Sequence, residues 1–141
     1  MSAFQPPLIP APTNIRRDNP RFQGEIGLTD AIAWFGHHGY RVCIPLADNQ
    51  PYDLVVDAGD GALQRVQVKT TTHRSPAGRF VVQLAVAGGN QSFHTVKKFD
   101  PQAVDLLYVL TDAAERYLIP VSVIRARTSL ALHPGMAQYR L

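Results

Sequence analysis

What is scarce in this 141-residue chain narrows its options first. It has one cysteine, Cys43, so an intrachain disulfide framework and a zinc site built from several cysteines are both excluded. No apolar run reaches about 18 residues, so no stretch is long enough to cross a bilayer as a helix. The start of the chain lacks a charged segment followed by an apolar one, which argues against a secretory signal and for a cytoplasmic protein. Internal repeats and low-complexity tracts are missing as well. Charge is modest: 14 Lys and Arg against 11 Asp and Glu leave a formal +3. That excess is compatible with a nucleic-acid partner and too small to argue for one alone. Apolar residues make up 45% and charged residues 18%, a folded rather than a disordered composition. One domain of this size can bury about two thirds of its surface without staples.

Proline is unevenly spread. Pro6, Pro7, Pro10, Pro12 and Pro20 lie in the first twenty residues, so residues 1–21 read as a flexible tail and residues 22–141 as a single domain. The tail ends on Arg16, Arg17 and Arg21, a basic cluster suited to phosphates or simply to solvent. The spacing of Ile26, Ile32, Ala33, Trp34 and Phe35 predicts a helix over 24–38, stopped by Gly39. Strands are predicted over 40–46, 52–58, 62–72 and 79–87, with a hairpin turn at Gly59-Asp60-Gly61. Residues 88–100 form a polar loop, and a helical turn follows near Pro101–Val104. Leu106–Leu110 is apolar throughout, as in a strand buried on both faces, and 116–119 pairs back on it. A short helix is expected over 120–127 and an irregular end after it. The result is a mixed α/β (α+β) domain around one central sheet.

Four polar residues sit where a bland fold has no need of them: Glu25 at the helix start, Asp53 in an apolar strand, and Gln67 and Lys69 on the third strand. Gln67 and Lys69 share a face, about 6.6 Å apart. A hairpin centred on Asp60 brings Asp53 beside Gln67. A carboxylate, an amide oxygen and an ammonium then meet at one open end of the sheet. Mg²⁺ takes hard oxygen ligands and keeps several waters, and Asp53, the Gln67 oxygen and the Val68 carbonyl can supply such a shell. A metal there activates water for phosphodiester hydrolysis. Glu25 can complete the shell or hold a second metal. Lys69 can orient the water or steady developing charge, and neighbouring carboxylates are expected to raise its pKa and keep it protonated.

Each residue also has a plainer reading. Glu25 suits a helix start through the macrodipole, and Asp53 can form a structural salt bridge with Lys69. His37 and His38 suit a helix C-terminus, Cys43 packs as a small hydrophobe, and Trp34 and Phe35 belong to the core. Arg74, Arg79, Lys97 and Lys98 are candidate phosphate contacts, each of which a solvated surface also explains. The Gln91–Thr95 segment has donors suited to base edges.

The motif Pro51-Tyr52-Asp53, then Gln67-Val68-Lys69 after thirteen residues, resembles the PD-(D/E)XK nuclease signature with one residue inserted between Pro and Asp. Residues 24–72, and later VDLLYVL…RYLIPVSVI, are similar to the group I intron-associated homing endonucleases of that superfamily, over roughly residues 22–125. That branch carries Gln where most of the superfamily has an acid, as at Gln67. Archaeal Holliday-junction resolvases share the scheme more distantly. The resemblance implies a restriction-endonuclease-like fold whose N-terminal helix carries a site Glu. It also implies metal binding by Glu25, Asp53 and Gln67, assistance by Lys69, and Mg²⁺ as cofactor with Mn²⁺ able to substitute. The expected partner is DNA, and the chain is expected to form a dimer or tetramer, since one active site cuts one strand. A resolvase, a restriction or defence nuclease, and a non-catalytic DNA-binding or assembly module on the same fold are the alternatives.

Overall fold

The computed structural model describes residues 19–87 and 96–141. The expected roles of Arg16, Arg17 and Gln91–Thr95 therefore fall outside the described residues. The helix α1 runs Pro20–His37 and starts earlier than its apolar spacing predicts. Pro20 begins it rather than breaking it, because a first-turn residue has no intrahelical N–H bond to lose. The Asn19 side chain caps this end by accepting the Phe22 N–H at 3.0 Å. Arg21 consequently belongs to the helix, where it is exposed, and not to a tail. Gly27, Ala31 and Phe35, four residues apart, are the buried stripe, while Ala33 is exposed. Small residues at two of those positions let the helix lie close to the sheet.

The strands are β1 (Arg41–Cys43), β2 (Leu54–Asp57), β3 (Leu63–Thr71), β4 (Val81–Gln83), β5 (Val86–Ala87), β6 (Val96–Lys97), β7 (Leu106–Thr111), β8 (Arg116–Pro120) and β9 (Ser129–Ala131). Five form the main sheet in the order β1-β2-β3-β7-β8. All neighbours in it are antiparallel except β3 and β7, which run parallel. The β2–β3 register, Leu54 opposite Val66 through Asp57 opposite Leu63, is centred on Asp60 as the turn chemistry predicts. Gly59 and Gly61 take φ of +90° and +84° in that turn, a region a side chain disfavours. Asp57 and Asp60 accept the Gly59 and Ala62 N–H groups at 2.7 and 3.0 Å and hold it closed.

Several expectations are corrected. Strand β1 is shorter than 40–46, since Pro45 has no N–H to continue a ladder, and Cys43 is exposed rather than packed. The stretch 79–87 is two strands, because the Leu84 and Ala85 N–H groups both turn to the Thr128 carbonyl, at 2.8 and 3.0 Å. Only a 3-10 turn, Val121–Val123, stands where a helix over 120–127 was expected. The chain end is ordered: β9 pairs with β4, and a six-residue 3-10 helix spans Pro134–Tyr139.

Apolar clusters lie on both faces of the sheet. On one, α1 covers Leu54, Val56, Val66, Leu106 and Tyr108. On the other, β4, β9 and the chain end cover Leu107, Val109 and Ile119. Strand β7 is buried along its whole length, as its unbroken apolar run predicts. Asp30 pins α1 to the sheet: it accepts from the Tyr108 hydroxyl at 2.6 Å and from two Arg116 nitrogens at 2.8 and 2.7 Å. Burial first, then Asp30, raises the Tyr108 hydroxyl well above the usual tyrosine range.

Candidate active site

Strand alternation sorts the polar residues onto one side. Leu54, Val56 and Val66 face α1, so Asp53, Gln67 and Lys69 face the opposite side. Strands β2 and β3 separate at this point. The Asp53 N–H still donates to the Val66 carbonyl at 2.8 Å. One step further on, the ladder is replaced by a side chain: the Val68 N–H donates to Asp53 Oδ2 at 2.7 Å. The Val68 carbonyl, two residues after that of Val66, points to the same opened edge. The splay of the hairpin therefore leaves a carboxylate, a main-chain carbonyl and the Gln67 amide at one place.

Gln67 Oε1 is buried and has no hydrogen-bond partner. A buried amide oxygen without a partner costs about 1–3 kcal/mol, so it marks a place where a donor or cation belongs. Asp53 is exposed at the residue level, yet protein crowds its carboxyl. That crowding raises its pKa, while the Val68 N–H and then Lys69 lower it. Lys69 is half-buried, and desolvation lowers its pKa against the opposing pull of Asp53. The expected upward shift is thus reversed, because burial outweighs the single carboxylate nearby. The structural salt bridge considered for Asp53 and Lys69 does not form. Among the described residues the ion pairs are Arg65–Asp105, Arg116–Asp30 and Arg140–Glu115.

A cavity of about 360 Å³ opens beside the site, lined by Asp48, Asn49, Asp53, Gln67, Lys97 and Lys98 among others. Two of the predicted phosphate contacts, Lys97 and Lys98, thus join Asp53 and Gln67. Arg74 and Arg79 do not: they line a separate hollow beyond the end of β3. Glu25 is exposed on α1, two residues before Gly27, and Gly27 lies against Val68 and Thr70 of β3. The electrostatic coupling at the site runs between Asp53 and Lys69. Among the described residues no three of His, Cys, Asp and Glu cluster as metal ligands. The available donors are instead one carboxylate, one amide oxygen and one main-chain carbonyl. These are hard oxygens, which fit Mg²⁺ or Mn²⁺ and not a soft-metal site.

Sequence reasoning missed Asp48 and Asn49 as neighbours of the site. They lie in a loop with no periodicity, and only the fold brings that loop against Gln67. It also missed the Asp30–Tyr108–Arg116 network, whose members are 78 and 86 residues apart.

The fold has a counterpart among solved structures. A solved bacterial homing endonuclease, I-Ssp6803I, matches with 26% sequence identity and a TM-score of 0.73, over 84% of this chain and 86% of that one. No curated protein matches. A family model described as PD-(D/E)XK endonuclease matches residues 18–138, which takes in α1, the splayed hairpin and the strands beyond it. With that model matched over most of its length, the chain belongs to the PD-(D/E)XK endonuclease family, with its restriction-endonuclease-like fold.

Proposed function

We propose that this nuclease is a metal-dependent DNA endonuclease of the homing type, hydrolysing phosphodiester bonds in the cytoplasm at the opened end of β2 and β3. The observation that carries this reading is the buried, unpartnered Gln67 Oε1 on the same face as Asp53. Nucleases of this family generally use divalent metal ions. Asp53, Gln67 Oε1 and the Val68 carbonyl would hold the ion, with Glu25 completing the shell directly or through water. A bound Mg²⁺, or Mn²⁺ in its place, supplies activation of water and neutralises charge on the phosphoryl oxygens. The protein's own groups do the rest. The Val68 N–H fixes the Asp53 carboxylate, leaving its other oxygen for the cation. Lys69 orients the attacking water and steadies the charge that develops as an oxygen–phosphorus bond forms and one ester bond breaks. Desolvation, which lowers its pKa against the pull of Asp53, makes its neutral amine more accessible than that of an ordinary lysine. Lys97 and Lys98, across the cavity, meet the backbone phosphates.

A double-strand break needs two such sites, so the active form is a dimer or tetramer. The likeness to a homing endonuclease favours this subtype over a junction resolvase or a restriction or defence enzyme. Plasmid cleavage with Mg²⁺ tests the reading. The wild type nicks or linearises plasmid, and Asp53→Ala does not. Equal, negligible cleavage by both on plasmid and on four-way junctions would leave a non-catalytic DNA-binding module. Symmetric, sequence-independent cuts near a crossover would make the protein a resolvase.

A further inference from the structure

The second hollow, about 270 Å³, is built by the loop between β3 and β4, by Glu115 and by the start of the last 3-10 helix. Arg74 is held rather than loose. Its guanidinium carbon lies 3.8 Å from the centre of the buried Phe80 ring, and its Nη1 donates to the Gly78 carbonyl at 3.1 Å. Gly78 reaches that position with φ +79°. One of the five guanidinium N–H donors is thereby used, and the rest stay available. Arg79 lines the hollow and is exposed. Neither arginine has an acidic partner among the described residues. The lining carboxylate, Glu115, is already engaged by Arg140 at 3.4 Å. His133 also lines the hollow, and its Nδ1 accepts the Gly135 N–H at 3.1 Å. With Nδ1 accepting, the ring N–H is on Nε2, so His133 keeps a donor on its other nitrogen. Gly135 makes this possible: a Cβ there would stand 2.7 Å from the His133 ring.

The hollow therefore has two guanidinium groups without an acidic partner among the described residues, one of them fixed in orientation, and a histidine donor, while its acid is paired with Arg140. Such a set suits a phosphate group, which takes several N–H donors at once. We propose that it is a phosphate-binding subsite that seats one backbone phosphate of the DNA substrate away from the cut. The proposal rests on the nuclease reading. Arg74 follows Lys69 by five residues, a span of at most about 18 Å of chain. That span, added to the reach of the two long side chains, places the subsite within roughly ten base pairs of the cleaved bond at about 3.4 Å of duplex per nucleotide. Its role is to set where along the strand the metal site falls.

The test is binding of a labelled duplex to the full chain across a salt series without metal, beside plasmid cleavage with Mg²⁺. A lost phosphate contact lowers the slope of log K against log salt by about 0.9. Arg79→Gln, an exposed residue, should weaken binding about tenfold and lower the slope by less than about 0.9, because Arg74 still pairs the phosphate. The Arg74→Ala/Arg79→Gln double variant should bring the loss to about 0.9 and no further, because both groups hold one phosphate. Arg74→Lys, which keeps the charge and loses the fixed fork, should fall between. Unchanged binding in all variants overturns the proposal, and so does an additive slope loss of about 1.8. A further arm adds inorganic phosphate. If phosphate binds the wild type and not Arg79→Gln while DNA binding is equal in both, the hollow holds a free anion, and the DNA assignment fails. A wild type that neither binds nor cuts DNA removes the nuclease reading itself. Normal cutting by every variant, with unchanged slopes, removes only the subsite.

Discussion

Gly27→Ala probes how closely α1 lies on β3. Gly27 is buried, and a Cβ at its position would stand 2.5 Å from Thr70 Cγ2 and 3.4 Å from Val68 Cγ1. Two effects oppose each other. Replacing glycine by alanine inside a helix favours folding by about 1 kcal/mol. Carbon atoms prefer a separation of about 3.5–4.0 Å, so the Thr70 methyl or the helix must move by about 1 Å. Thr70 is β-branched and sits on a central strand, so its methyl has little freedom to yield. Overpacking of this kind costs about 1–3 kcal/mol. The clash therefore outweighs the propensity gain, and a net loss of about 1 kcal/mol is expected, roughly 4 °C in Tm. Thr70→Ser removes the offending methyl. In that background the same Gly27→Ala change should become neutral or stabilising. Urea and thermal unfolding of the four proteins give the double-mutant cycle, with an expected coupling of about 1–3 kcal/mol. A more stable Gly27→Ala protein in the wild-type background would refute the close contact. Glu25 lies two residues before Gly27, so outward movement of α1 should also slow cleavage if Glu25 serves the metal site.

Asp53→Asn keeps an acceptor for the Val68 N–H and removes the charge, so it should abolish cleavage while leaving the metal-free protein as stable or more so at pH 7. The sign follows from the raised pKa of Asp53: folding disfavours its ionised form, so the gain should vanish as pH falls through the aspartate range, a trend thermal melts across pH 3–7 can follow. Arg116→Ala leaves Asp30, whose side chain is only 17% exposed, with the Tyr108 hydroxyl alone. It should cost about 2–4 kcal/mol in urea unfolding, and an unchanged midpoint would remove the pinning role of that network. Alanine at Lys97 and at Lys98 should each weaken DNA binding uniformly across sequences and reduce the salt slope by about 0.9, which anisotropy titrations would measure. Cys43 should react fully with a thiol reagent in the native protein, and protection until unfolding would restore it to the core.

The most legible part of the molecule was the hairpin that carries the candidate site. Gly59-Asp60-Gly61 fixes where the chain turns, and period-two alternation then fixes which side chains share a face, so Asp53, Gln67 and Lys69 could be placed together from local rules. Strand β7 was legible for a similar reason, since an unbroken apolar run has few other uses. Expectations failed where distant contacts decide the outcome. Residues 79–87 look like one strand, yet the Thr128 carbonyl, more than forty residues later, divides them. Strand β9 is three residues long, too short for any periodicity, and exists because β4 offers it an edge. Cys43 was misplaced because β1 is an edge strand, which its sequence does not reveal. The direction of the Lys69 shift depended on how deeply its ammonium is buried, which packing sets and spacing does not. The split of the basic residues, lysines beside Asp53 and arginines in the second hollow, is likewise a product of the fold.

The most direct test of the central claim is a crystal of the protein soaked in Mn²⁺ and measured at the manganese absorption edge. The expected result is an anomalous peak bounded by the Asp53 carboxylate, Gln67 Oε1 and the Val68 carbonyl, absent in Asp53→Ala. A metal bound elsewhere, with Gln67 Oε1 still unpartnered, would contradict it.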